Sequence, residues 1–367
     1  MTDRYTATLD HEEVVIRRGT RSGLYSIVAV HSTALGPSLG GVRMWSYSDA
    51  RAALRDALRL SEGMTYKAAV AGLAQGGGKG VIVVPPGERL EGDRRRAALL
   101  DFGDTVNRLE GRYITAEDVG VTPDDIAVVA EVSSHVSALP RERGGSGDPS
   151  PWTALGVLVS LQVACERVFG TGDLAGRSVA VLGLGHVGAD LARRLAADGA
   201  RLVVTDVDES RRAIAEELGA TWTTPDAVVF ADVEVLAPCA LGGVFDHESV
   251  PRLKAKVIAG AANNQLADPS VDRLLADRGI LWAPDFLVNA GGIVNISVEV
   301  QPGGYDEAAA DRAVRGIADT ARLIFDEAEA DGLTPLAAAM RLVRRRLDAA
   351  RPPTMSIAGR PSSTNAV

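Results

Sequence analysis

Cysteine is nearly absent: Cys165 and Cys239 are the only two in 367 residues. So few thiols exclude a disulfide framework and any multi-cysteine metal site, and no metal is expected. Positive charge is also in short supply, the formal net charge being −9. A nucleic-acid binder needs a basic surface to meet phosphates, so nucleic acid is not expected as a partner. No uninterrupted apolar run approaches the ~18 to 20 residues that cross a bilayer, and no internal repeat is visible. The opening MTDRYTATLDHEE is polar and acidic, without the basic-then-apolar layout of a signal peptide. A cytoplasmic protein without a membrane partner is expected.

What is present is a globular composition, 46% hydrophobic with 24% charged, on a chain long enough for two domains. Glu13 to Val30 reads as two strands, and a loop punctuated by Gly36, Pro37, Gly40 and Gly41 follows, with a strand resuming at GVRMW. A helix is predicted from Ser48, then a strand over 80–85, a helix over 92–109 and a strand over 113–115. Thr122-Pro123-Asp124-Asp125 is a helix start: cap, proline in the first turn, then two acids. Strands alternating with helices make this segment α/β. Seven of the eleven residues of RERGGSGDPSP (141–151) are Gly, Pro or Ser, a boundary composition. The predicted organisation is a substrate and oligomerisation domain over 1–140, joined by a helix over about 332–350. A doubly wound domain covers 148–331, and 351–367 is a polar tail.

The stretch Gly63 to Val84, GMTYKAAVAGLAQGGGKGVIVV, places Lys67 and Lys79 among residues that carry no other charge. Burial lowers a lysine's pKa, so one lysine can hold an anion and the other act as a base. The three glycines before Lys79 argue against a continuing helix and let backbone come close to whatever Lys79 faces. The alternative is a tight turn before a buried strand, with both lysines reaching out to water.

Farther on, Val179 to Leu182 is a short apolar strand running into Gly183-Leu184-Gly185-His186-Val187-Gly188. An amphipathic helix follows, then a strand ending at Asp206. A bare GxGxxG is weak evidence, but between a strand and a helix, with an acid closing the next strand, it is a dinucleotide fingerprint. Pyrophosphate would meet the helix N-terminus and Asp206 the ribose hydroxyls. An acid there repels a ribose phosphate, which favours NAD over NADP. Later strands end in PCALGG, AANNQ and PDFLVNAGG, so Ala237, Pro238, Cys239, Ala261, Asn263, Asn264 and Asn289 fall on the ligand-binding edge of a parallel sheet. For the asparagines, turn chemistry is the alternative. Asp306 to Ala330 reads as one long helix, and Thr334-Pro335 starts the last.

GPSLGGVRM, GMTYKAAVAGLAQGGGKGVI, YITAEDVG, GDPSPWTALGV, GLGHVG, APCALGG, AGAANNQL and APDFLVNAGGIVN together resemble the leucine and valine dehydrogenases, relatives of phenylalanine and glutamate dehydrogenase. The resemblance implies reversible, NAD-dependent oxidative deamination of an L-amino acid to its 2-oxo acid and ammonia, by a homo-oligomer. It implies that Lys67 binds the substrate carboxylate, that Lys79 works with the attacking water, and that Asp118 moves protons at the amine. Met64, Gly40 and Gly41 would lie against the substrate, and Thr153, Asn263 and Asn264 against the nicotinamide. Leu39, Ala116, Ile293 and Ile296 match positions lining the side-chain pocket. Leu39 stands where glutamate enzymes carry a lysine, so glutamate should be a poor substrate, and the two isoleucines add bulk that favours valine. Val42, Trp152 and SVEVQPGGY depart from the family pattern, the last at the back wall of that pocket. Two other readings stand beside it: an aromatic amino acid dehydrogenase, and a non-catalytic NAD-binding regulatory protein.

Overall fold

The computed structural model describes residues 10–350; the tail expected over 351–367 lies outside the described residues. Two sheets organise the chain. The first combines β1 (Glu13–Arg18), β2 (Tyr25–Ser32), β3 (Ser38–Ser46), β4 (Gly76–Val84) and β5 (Tyr113–Glu117) in the order β1-β2-β4-β3-β5. β2 runs antiparallel to β1 and β4, whereas β3 runs parallel to β4 and β5. The second contains β6 (Ser178–Leu182), β7 (Arg201–Thr205), β8 (Thr221–Trp222), β9 (Val235–Pro238), β10 (Val257–Ile258) and β11 (Leu281–Trp282). Its order, β11-β10-β9-β6-β7-β8, is wholly parallel. The order reverses between β6 and β9, which opens a crevice at their carboxyl ends.

The glycine run before Lys79 is not a turn. Gly76, Gly77 and Gly78 already belong to β4, and the reason is the helix Ala50–Ala71 packed across it. A Cβ on Gly77 would stand 2.0 Å from the backbone nitrogen of Thr65 on that helix. Without one, helix and strand close up, and Lys67 and Lys79 are held against each other's neighbourhood. β3 likewise starts earlier than expected, so Gly40 and Gly41 are strand residues rather than loop.

Two further differences have local causes. The helix read over 306–330 is two, Glu307–Arg315 and Ile317–Asp331, divided at Gly316. The helix Ser150–Phe169 is long and apolar enough to span a membrane by length and composition, but most of it is buried inside the protein. Its apolarity reflects a core position against the helices His186–Ala197, Gly291–Glu299 and Ile317–Asp331.

The last helix, Pro335–Ala350, returns to pack on Ala50–Ala71. There Arg346 donates from Nη1 to the carbonyls of Ala69 and Val70, both at 2.6 Å. Those carbonyls lie in the last turn of the helix that carries Lys67, where a cation is favoured. Arg341 and Arg345 instead pair with Glu327.

Candidate active site

A cleft of about 220 Å³ lies between the two sheets, bordered by Met64, Lys67, Lys79, Asp118, Asn263 and Asn264. These residues reach it from both sheets. Met64 and Lys67 come from the Ala50–Ala71 helix, Lys79 from β4, and Asp118 from the residue after β5. Asn263 and Asn264 come from the loop after β10.

Lys79 is buried, with 4% of its surface exposed, which removes the possibility that it reaches out to bulk water. Its Nζ lies 3.0 Å from Oδ2 of Asp118. Burial lowers the Lys79 pKa, against the opposing pull of Asp118. Burial alone would raise Asp118, but the Lys79 and Arg43 cations hold it below the usual carboxylate range. Gly41 makes this contact possible. The register pairing Leu39 with Gly77 and Val42 with Gly80 sets Gly41 beside Lys79. A Cβ there would stand 2.8 Å from Cβ of Asp118.

Lys67 opens onto the cleft and donates from Nζ to Oδ1 of Asn263 at 3.3 Å. Desolvation by the cleft walls lowers its pKa to about 8, with Asp285 opposing and Lys79 reinforcing the shift. The setting is therefore not free of other charge, as the flanking sequence suggests. Arg43, Asp56, Arg59 and Asp285 converge from positions distant in sequence. Of these, Asp56 was detectable as an acid in the helix one residue after Arg55 and three before Arg59. Arg43 was detectable as a lone charge in an apolar strand.

Leu39, Ala116, Ile293 and Ile296 are all buried in the same extended apolar core, which also contains Trp152. They do not border the 220 Å³ cleft itself. Gly40 lies equally inside: its Cβ position falls 1.8 Å from the carbonyl oxygen of Gly78.

The second half of the site is the glycine-rich turn after β6. Gly183 has φ +99°, and a Cβ on Gly188 would meet the Gly183 carbonyl oxygen at 1.9 Å. Gly185 differs, having nothing within 4 Å of its Cβ position. Two glycines thus serve the tight turn and the helix–strand packing, while the third faces open space at the start of the helix His186–Ala197. That is an approach route for an anion. His186 is exposed and Val187 half-buried beside it. Asp206 closes β7, accepting from the backbone of Leu184 at 2.6 Å and of Asp208 at 2.9 Å.

Across the crevice, Cys239 donates its backbone N–H to Leu182 at 2.7 Å, and the N–H of Ala262 bonds the Pro238 carbonyl. These bonds hold the end of β9, with Ala237, and the loop after β10, with Ala261, alongside the turn. Burial raises the Cys239 thiol to about 11, so it is not a thiolate. Asn289 donates from Nδ2 to Ala261 O at 3.1 Å and to Asn263 Oδ1 at 2.9 Å, while its own Oδ1 is buried without a partner. Thr153 donates to the Pro149 carbonyl and sits beside Gly292. A buried unsatisfied amide, an open glycine and a helix N-terminus on one sheet edge fit a nicotinamide dinucleotide.

Residues 10–135 match the family described as Glu/Leu/Phe/Val dehydrogenase, dimerisation domain, and residues 204–350 match Glutamate/Leucine/Phenylalanine/Valine dehydrogenase. The chain belongs to that family. It is an amino acid dehydrogenase. It is 42% identical over 350 residues to a leucine dehydrogenase of Geobacillus stearothermophilus, covering 95% of this chain and 94% of the relative. Identity to a valine dehydrogenase of Streptomyces virginiae is 44% over 351 residues, 93% and 95% of the two chains. The crystal structure of L-tryptophan dehydrogenase from Nostoc punctiforme superposes with a TM-score of 0.79 at 39% identity, covering 93% of this dehydrogenase and 97% of that chain.

Proposed function

We propose that this dehydrogenase catalyses the reversible, NAD-dependent oxidative deamination of branched-chain L-amino acids, valine, leucine and isoleucine, to the 2-oxo acid and ammonia. The observation that carries the proposal is the convergence of Lys67, Lys79 and Asp118 on one cleft, beside a sheet edge that suits a dinucleotide.

When bound, the nicotinamide accepts hydride from the substrate's α-carbon. The protein's own groups do the rest. Lys67, cationic below about pH 8, holds the α-carboxylate. Asp118 shares Oδ2 with Lys79 and Arg43 and turns its other oxygen to the amine, taking a proton so that hydride departs from a free amine. The α-carbon becomes an imine carbon. Lys79, its pKa lowered by burial, takes a proton from water as that water adds to the carbon. The same lysine gives that proton to the departing nitrogen and, neutral again, takes the hydroxyl proton as the carbonyl forms. A lysine of ordinary pKa would be protonated at neutral pH and unable to begin.

NAD rather than NADP is supported by the Asp206 carboxylate, which would repel a ribose phosphate. Leu39, Ala116, Ile293 and Ile296 offer no cation of their own to grip a side-chain carboxylate, which favours aliphatic substrates over glutamate. A self-association through the first sheet's domain accords with the dimerisation domain matched there. The similarity to a tryptophan dehydrogenase gives an aromatic substrate as the second reading.

The deciding assay follows NADH formation with valine, leucine, isoleucine, phenylalanine, tryptophan and glutamate. Highest kcat/KM with an aliphatic branched substrate is expected. Preference for tryptophan or phenylalanine would replace the branched-chain reading, and no turnover with any of them would refute the whole proposal.

A further inference from the structure

Arg43 is a charged side chain in the first sheet that the mechanism above leaves without a task. It leaves β3 on the face that carries Lys79, and its guanidinium is engaged at both ends. Nε donates to Oδ2 of Asp118 at 2.9 Å, and Nη1 to Oδ2 of Asp56 at 2.9 Å. Asp56 is itself fixed, accepting from the Tyr47 hydroxyl at 2.7 Å and from Nη2 of Arg59 at 2.8 Å. Asp118 therefore receives two cations on one oxygen, Lys79 and Arg43. A carboxylate needs only one cation for charge balance. The second adds orientation, because a guanidinium bonded at two points cannot swing.

We propose that Arg43 is a positioning residue of the reaction: anchored by Asp56, it fixes the Asp118 carboxylate against Lys79 and keeps a standing positive charge beside the reacting amine. The proposal rests on the reading of Lys79 as the base. It gives the Asp56–Tyr47–Arg59 cluster behind the cleft a role that the substrate-binding residues do not supply.

The electrostatics have a definite sign. The groups facing Lys79 are Asp118, Arg43 from β3, Asp56 and Lys67 from the Ala50–Ala71 helix, and Asp285 at the far wall. Burial and then the Asp148 and Asp118 charges raise Glu117 at the end of β5. After burial and Asp118, the Arg43 charge lowers Lys79, whereas the Asp56 charge raises it. Removing Arg43 should make Lys79 harder to deprotonate, and neutralising Asp56 should make it easier.

The experiment is the pH profile of kcat/KM for L-valine oxidation in the wild type, Arg43→Met and Asp56→Asn. The acid limb, where the base must lose its proton, is expected to move up by on the order of one pH unit in Arg43→Met. It should move down in Asp56→Asn. A uniform rate loss at every pH in Arg43→Met, or both variants moving the same way, would overturn the proposal. Should Arg43→Met fail to fold, Asp56→Asn decides alone: a downward shift supports the proposal and an unmoved limb ends it. Failure of the underlying reading looks different. In that case the wild type shows no acid limb, or Lys79→Ala keeps its turnover.

Discussion

Lys79 Nζ and Asp118 Oδ2 stand 3.0 Å apart, and Gly41 on β3 is what lets them meet. β3 lies between β4, which carries Lys79, and β5, which Asp118 follows, and a Cβ at position 41 would stand 2.2 Å from the Glu117 carbonyl oxygen and 2.8 Å from the Asp118 Cβ. Gly41→Ala is expected to lower kcat by ~10² or more through misplacement of Asp118. NAD affinity, measured by fluorescence titration, should hardly change.

Lys79→Ala should reduce kcat by at least ~10³, the upper range for loss of a proton-transfer group. NAD binding should be intact, because Lys79 belongs to the first sheet and the glycine turn to the second. Retained turnover would remove Lys79 from the mechanism.

Lys67 must be charged to hold a carboxylate, and its pKa is lowered to about 8. Thus kcat/KM should fall as pH rises above about 8, giving a bell with the acid limb of Lys79. Lys67→Ala should raise KM ~10- to 100-fold, the worth of a charged hydrogen bond. Lys67→Arg should push the basic limb out of the accessible range. An unchanged KM in Lys67→Ala would refute the carboxylate role.

The same shift bears on stability. The folded pKa lies below the ordinary lysine value of 10.5. Between the two values the unfolded chain binds more protons, so stability contributed at this site rises with pH across that window. Below it both states are protonated, and the native state bears the whole cost of a desolvated ammonium. Lys67→Met should be more stable than wild type at pH 7 by on the order of 1–3 kcal/mol. The difference between the two should shrink toward pH 10.5, as read by urea unfolding. A variant of equal or lower stability at pH 7 would contradict the burial cost.

Gly185→Ala and Gly188→Ala should separate binding from folding. Nothing in the protein crowds position 185, so that variant should melt like wild type and lose NAD affinity. At position 188 the Gly183 carbonyl is 1.9 Å from the new carbon, so a lowered melting temperature is expected as well. Equal melting losses in both would show that position 185 is needed for packing rather than for the ligand.

Local sequence determined the parts of this protein that depend on short-range chemistry. A strand, GLGHVG, a helix and a strand ending in Asp206 lie within thirty residues of one another, and their order dictates the parallel βαβ unit and its phosphate-facing turn. The helix start at Thr122–Asp125 is equally local, and in the structure Thr122 and Asp125 close it with a capping box. Tertiary structure alone decided what surrounds the lysines. Glycines 76–78 signal backbone freedom in sequence, but whether that freedom serves a turn or a flat strand depends on the helix lying across it. Arg43, Asp56, Asp118 and Asp285 are separated by up to hundreds of residues, and only sheet order and helix packing set them around one cleft. Desolvation, which lowers both lysines, arises from that assembled wall of atoms. Residue type names the group that can titrate; the fold determines where.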